Sequence, residues 1–451
     1  EVDETGTVWT FKIKDAKWSD GYPVIAEDFE YAFQRILDPT LASQYAAMLF
    51  LIKNAVPYYN GEMKAGDLGV KALDSKTLEI TLEYPAPYLP GILKHYSSFP
   101  VPKHVVEKLG EDWVRPENLV VNGPYKLVEW RTKDFLRSVA NPLWEGAENL
   151  CFKEVIYYPY DDLEAIERLI SRGKLDINNA FEGQRTAELK EKFPGWVRTM
   201  PSLTTTYYSI NTDLEKFKDA RVRNALGMAL DREFLVNKVL TAGYVPAYSL
   251  VPPGIANYDG GAEVAWKDLS QEERQAEAKR LLEEAGYGPD NPLEFTYIFR
   301  STDDNPKVAP AIQQNWNTIA DWVKPEIQMQ ETKNLYQRLR SSDFEVADGA
   351  WVADYNDPQN FLFLLDSKTG QMNYGNFNNP QYDALLDASN NEVNMEKRKV
   401  ILKQAEQLML DQMPIMPMWF QVTKNLVDPT LTGFQDNPED IHRSKYICRS
   451  N

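Results

Sequence analysis

Histidine and cysteine are scarce, with three histidines and two cysteines in 451 residues. His95, His104 and His442 lie far apart, as do Cys151 and Cys448. There is therefore no Cys-x-x-Cys, no His-Glu-x-x-His and no spacing that would gather ligands around zinc. Also missing are a Gly-x-Ser-x-Gly elbow, a P-loop and a dinucleotide fingerprint, so the common enzyme motifs find no support. No run of about 18 apolar residues occurs, which excludes a membrane-spanning helix. Basic residues are outnumbered, 49 Lys and Arg against 67 Asp and Glu, giving a formal charge of -18. A phosphate backbone would find no basic patch here, and nucleic acid is not an expected partner. No charged segment followed by an apolar one precedes Glu1, so the sequence displays no signal peptide. The two cysteines leave two readings open, one disulfide in an oxidising compartment or two buried thiols.

What the chain does have is length for several domains and 43% hydrophobic residues, enough to bury a large core. Trp9, Phe11 and Ile13 alternate with polar neighbours as a half-buried strand does. Asp20-Gly21 then turns the chain, and a helix is expected from about Glu27, with Phe29 and Phe33 one turn apart and Asp38-Pro39 closing it. Leu73 to Leu82 contains a second alternation, and Tyr125, Leu127 and Glu129 a third, after Asn122-Gly123-Pro124. Asp219 to Leu240 carries Val222, Ala225, Leu226, Ala229, Leu230 and Leu235 at helical spacing. Ser270 and Glu273 form a capping box for a helix that Gly286 should end. Ala309 to Val323 and Glu396 to Met409 read as further helices. The fold class is α/β in the mixed sense, strand-rich and helix-rich parts without a strict βαβ cadence.

Aromatic residues make up 12% of the chain, many for so acidic a protein. Trp351, Tyr355, Tyr207, Tyr208, Trp419 and Phe420 are candidates to wall a pocket that accepts varied side chains. Gly349 to Pro358 reads as a strand ending in a turn, which puts Asp354 at a strand mouth. A poorly solvated carboxylate there would hold an ammonium group through charge-assisted hydrogen bonds. The plainer role for such a residue is to cap its own turn, as Asn356 or Asp357 would also do. Paired carboxylates for a glycosidase are available, but any acidic chain of this size offers them.

Three stretches resemble a known family, the extracellular solute-binding proteins of the oligopeptide and dipeptide type that serve ABC importers. Trp9 to Ile13 and Ala16-Lys17-Trp18-Ser19-Asp20-Gly21-Tyr22-Pro23 through Phe29 resemble its signature. Asn211, Arg221 to Leu226 and Leu230-Asp231-Arg232 are similar to a second block, and Trp351-x-Ala353-Asp354-Tyr355-Asn356-Asp357-Pro358 to a third. The resemblance implies two lobes around a cleft, joined by two crossings that suit hinge closure, with an extra domain on one lobe. Residues 1–101 would be the appended domain, 102–203 with 423–451 the first lobe, and 204–422 the second.

The same resemblance implies a periplasmic protein, or an extracellular membrane-anchored one, that is no enzyme and needs no cofactor or metal. It would act as a monomer, capture a peptide ligand and pass it to an ABC transporter permease in the membrane. Ala350, Trp351 and Val352 would pair with the ligand backbone as an added strand, and Asp354 would bind its α-amino group. Water-lined pockets would take the side chains. Cys151 and Cys448 both fall in the implied first lobe and are expected to pair.

Two departures stand out. The enteric oligopeptide-binding member has a disulfide at positions that align with Thr204 and Val352. Its basic residues for the peptide C-terminus align with Leu240, Asn305, Leu339 and Asp348. The second departure implies weaker recognition of a free carboxylate and a preference for a cationic or amidated ligand end at Asp348. A non-peptide solute such as an opine, an oligosaccharide or a metal complex is the alternative ligand, and a hydrolase is a more distant one.

Overall fold

The computed structural model describes every residue except 44, 161, 303 and 451. The chain forms two compact units, one made of Glu1–Asn178, Val427–Gln435 and Ile441–Asn451, the other of Asn179–Leu426 and Asp436–Asp440.

In the first unit, strand β1 (Val8–Lys12) is followed by helix α1 (Ala26–Ile36) and strands β2 (Val70–Asp74) and β3 (Thr77–Thr81), in the order β1-β3-β2. The alternation expected over Leu73 to Leu82 is thus a hairpin rather than one strand, because the chain reverses at Ser75-Lys76 and Asp74 faces Thr77. The block from Trp18 to Phe29 is knitted together by buried Asp28, which accepts from Trp18 Nε1 at 2.9 Å and from the Ile25 amide at 3.2 Å. A second sheet joins β4 (Tyr125–Arg131), β5 (Phe135–Ala140) and β6 (Glu154–Tyr157) in sequence order. Cys151 and Cys448, 297 residues apart, are joined by a disulfide with their Cα atoms 5.2 Å apart.

The second unit is built on a mixed sheet of β7 (Pro201–Ile210), β8 (Val245–Pro246), β9 (Leu293–Arg300), β10 (Val323–Gln330), β11 (Val346–Val352) and β12 (Ile415–Val422). Their spatial order is β8-β12-β7-β11-β9-β10. Strand β7 is antiparallel to both β11 and β12, so those two run in the same direction, and β9 is parallel to β11. Helices α2 (Ala220–Met228), α3 (Gln271–Glu284), α4 (Asn305–Asn317), α5 (Thr332–Arg340), α6 (Pro380–Asn391) and α7 (Met395–Gln412) are the longer helices of the unit. Ser270 caps α3 with Glu273 as its reciprocal partner, and Gly286 beyond its end takes φ +92°, which a side chain would resist.

The helix expected from Asp219 to Leu240 is broken. It stops near Leu230, and Asp231 Oδ1 caps a new start by accepting from the Phe234 amide at 2.9 Å. Two arginines of the second resemblance block bind chain ends nearby, and the break serves Arg232. Arg223 gives hydrogen bonds to the carbonyls of Phe217, Lys218 and Gln412, and fully buried Arg232 to those of Ala247, Pro417, Gly227 and Leu230. Each guanidinium thereby satisfies chain ends that would otherwise be buried bare. The helix expected over Ala309 to Val323 lies earlier, at Asn305–Asn317, and Val323 opens β10 instead.

Candidate functional site

Strand β11 is paired along its whole length on one side only. Against β7 the register runs from Val346 opposite Ile210 to Val352 opposite Thr204. Against β9 it holds at Val346 and Ala347, and among the described residues no strand continues that side beyond Ala347. The Ala353 amide donates to the Leu203 carbonyl at 2.8 Å. Because antiparallel partners alternate between bonded and non-bonded pairs, Ala350 and Val352 turn their N–H and C=O groups away from β7, toward the open side. Val352 is 56% exposed and Ala350 half-buried.

The turn that follows is held from several directions. Asn360 Oδ1 accepts from both Trp351 Nε1 and the Asp354 amide, each at 2.9 Å. The indole meets Phe363 edge to face, with centroids 5.7 Å apart. Tyr355 donates its hydroxyl to Gln359, and Asn356 Oδ1 accepts from the Ala256 amide at 2.6 Å. Asp357 receives both terminal nitrogens of Arg398, on α7, at 2.8 and 2.9 Å, with both side chains buried. Asp354 is thereby fixed just past the end of β11. Burial pushes its carboxyl up to about 6, with the Asn360 amide acting in the opposite sense. Such a group gains from any cation brought beside it.

The structure thus brings Ala350, Trp351, Val352, Asp354 and Tyr355 into one strand end and turn. It places the other candidates elsewhere. Asp348, expected to receive a ligand cation, is fully buried and already holds Arg300, Nε to Oδ2 at 2.7 Å and Nη2 to Oδ1 at 3.2 Å. The preference for a cationic or amidated ligand end therefore loses its basis, since the charge of Asp348 is spent within the fold. Tyr208 and Trp419 belong to the core, Tyr208 against Tyr297 at 4.9 Å and against Trp419 at 6.4 Å. Tyr207 lies beneath Gly349, where an added Cβ would stand 3.0 Å from its ring, so glycine lets the strand pass over it. Phe420 is buried and pairs with Val245 on β8. Leu240 and Leu339 are core residues, and Thr204 and Val352 face one another across β7 and β11.

Asn360 and Arg398 escaped the sequence reading. Asn360 follows the turn by only a few residues, but a buried amide leaves no periodic trace. Arg398 sits on a charged helix where nothing distinguishes it from its exposed neighbours. Among the described residues no group of His, Cys, Asp and Glu side chains is placed to hold a metal ion. None of the described helices is long and apolar enough to cross a membrane.

Comparison with known proteins places these features in context. Residues 1–373 match the model of the bacterial extracellular solute-binding proteins, family 5. The periplasmic oligopeptide-binding protein OppA of Salmonella typhimurium is 38% identical over 98% of this chain and 82% of its own length. The periplasmic murein peptide-binding protein MppA of Escherichia coli is 36% identical over 98% of this chain and 83% of its own. Among solved structures, the murein tripeptide binding protein MppA of Escherichia coli superposes with a TM-score of 0.92 at 35% identity, covering 100% of this chain and 88% of that one. OppA of Haemophilus influenzae, in complex with RPPGFSPFR, gives 0.90 at 30% identity, covering 100% and 89%.

Proposed function

The chain belongs to the bacterial extracellular solute-binding proteins of family 5, and on that premise we propose that it is the peptide-capturing component of a periplasmic ABC importer. It binds oligopeptides and hands them, as a monomer, to a membrane permease, without converting them. The single observation that carries the reading is the open side of β11, where Ala350 and Val352 offer backbone groups beside the buried carboxylate of Asp354.

A receptor for peptides of many sequences must draw affinity from what all of them share, the amide backbone and the α-ammonium group. Ala350 and Val352 supply the first as a short ladder, and Asp354 the second. Trp351 shares the Asn360 side-chain oxygen with the Asp354 amide, and burial limits the hydration of the carboxylate, which strengthens the charge pair. Arg398, through Asp357, keeps the turn in place. Residues 1–101 form the appended domain, and the two lobes divide where the compact units do, near 178/179 and 426/427 rather than at 203/204 and 422/423. The separate sheets within 8–81 and 125–157 support the first of these boundaries.

The test is mass spectrometry of the molecules released from freshly purified protein, followed by titration with unmodified tri- to pentapeptides. A mixture of peptides and binding of several unrelated sequences are expected. One defined non-peptide molecule, with no peptide bound in titration, would overturn the proposal.

A further inference from the structure

Glu406, on α7, is fully buried, and among the described residues no cation pairs with it. Arg398 and Lys399 on the same helix are spent on Asp357 and on Asp259 with Glu396, and Lys403 is exposed. Tyr382, near it on α6, gives its hydroxyl to the Leu362 carbonyl. The partners of Glu406 are neutral donors, the Leu250 and Val251 amides at Oε1, each at 2.8 Å, and the Tyr258 hydroxyl at Oε2. Burial pushes the carboxyl up to about 7, against the pull of those three hydrogen bonds. An apolar side chain would fill this place at less cost, so what the carboxylate contributes is its grip on the three donors.

Those donors come from the two ends of one loop. From Leu250 to Tyr258, between β8 and α3, the chain forms neither helix nor strand, and Glu406 clips it at both ends. Inside the loop the Ala256 amide makes its 2.6 Å bond to Asn356, two residues beyond Asp354. The Leu250 carbonyl accepts from the Thr205 hydroxyl at 2.8 Å, and Thr205 lies opposite Trp351. One carboxylate thereby bears on both the open strand and its turn through the loop it closes.

We propose that Glu406 is a positioning residue for the ligand turn: by clipping both ends of the 250–258 loop it keeps Ala256 on Asn356, and so keeps Asp354 in its receptive place. This deepens the peptide-binding reading and rests on it. The ionised carboxyl is the stronger acceptor. The clip is therefore tight above about pH 7 and loosens as the pH falls through that value. Glutamine keeps one acceptor oxygen without the charge and stands in for the protonated acid.

The experiment is amide hydrogen exchange of the ligand-free parent and Glu406→Gln, compared at the same pH, at about pH 8 and about pH 5.5. At the higher pH residues 250–258 and 353–357 should exchange about tenfold faster in the variant, and at the lower pH the two proteins should agree. Equal exchange in strands β7 and β9 shows that the variant is folded. Calorimetric titration with tri- and tetra-alanine at about pH 8 then compares the parent, Glu406→Gln, Asn356→Ala and the double variant. Each single variant should bind about five- to tenfold more weakly, and the double variant no more weakly than the worse single one, because both act along one path. A difference in exchange of the same size at both pH values, an unchanged turn in Glu406→Gln, or losses that multiply in the double variant would overturn the positioning role and leave peptide binding standing. A parent that binds neither peptide, with the exchange differences in place, would overturn the peptide reading alone.

Discussion

Replacing Asp354 by Asn should make the protein more stable and a poorer receptor at once. The carboxyl is held at about 6 against an ordinary 3.8. At 1.36 kcal/mol per pKa unit that gap corresponds to about 3 kcal/mol of unfavourable ionisation in the folded state. Solvent reaching its exposed edge reduces the figure to about 1–3 kcal/mol. The penalty is full above pH 6 or so, where the folded protein has had to ionise a buried group. It fades as the pH falls toward the ordinary value, where the unfolded chain is protonated too. Asp354→Asn should therefore melt higher than the parent above neutral pH, and the difference should vanish in acid. Binding moves the other way. Losing one partner of a buried charge pair costs about 2–5 kcal/mol, a factor of about 30 to several thousand in affinity. Affinity of the parent should rise as the pH climbs through about 6, where Asp354 ionises. It should fall again past about 8, where the ligand's α-amino group loses its proton. Scanning calorimetry of the free proteins and titration across pH with free and N-acetylated peptides measure both halves. A variant that melts no higher than the parent, with acetylated and free peptides bound equally by the parent, would refute the reasoning.

Three further outcomes are expected. Peptides N-methylated at the amide that faces Ala350 or Val352 should bind about five- to tenfold more weakly than their parents, one hydrogen bond's worth. Equal affinity would show that the ladder is not used. Arg398→Met should destabilise the second unit by about 3–5 kcal/mol in denaturant melts, since Asp357 is left buried without its cation. A loss under about 1 kcal/mol would mean the pair is not buried as described. Thiol labelling of the denatured, unreduced protein should find no free cysteine, and reductant should lower the first unit's melting by about 2–5 kcal/mol. Two labelled thiols would disprove the bridge between Cys151 and Cys448.

How much of this was legible beforehand depends on the range of the interaction concerned. Local rules held: Ser270 and Glu273 start a helix, Gly286 ends it, and Trp9 and Phe11 lie on a strand. Patterns that only packing can interrupt did not. The run from Asp219 to Leu240 is helical in period throughout, yet the demand of Arg232 for four carbonyls breaks it. At the site, the strand mouth and Asp354 followed from the residues between Gly349 and Pro358. The fates of Asp348 and Tyr208 did not, because the face of a strand on which a residue falls depends on a register set by distant partners, Tyr208 and Arg300 among them.

The bond between Cys151 and Cys448 spans the whole of the second unit's chain, since every segment of that unit lies between them in sequence. Synthesis and export deliver residues in order, so Cys151 must wait, reduced or mispaired, while the entire intervening stretch emerges and folds. The first unit is therefore the last to be finished, although it is the first to appear. Loss of Cys448 would spare the sheet of the second unit and leave the first unit unsealed. Such molecules would be recognised by their redox state and protease sensitivity rather than by any loss of affinity.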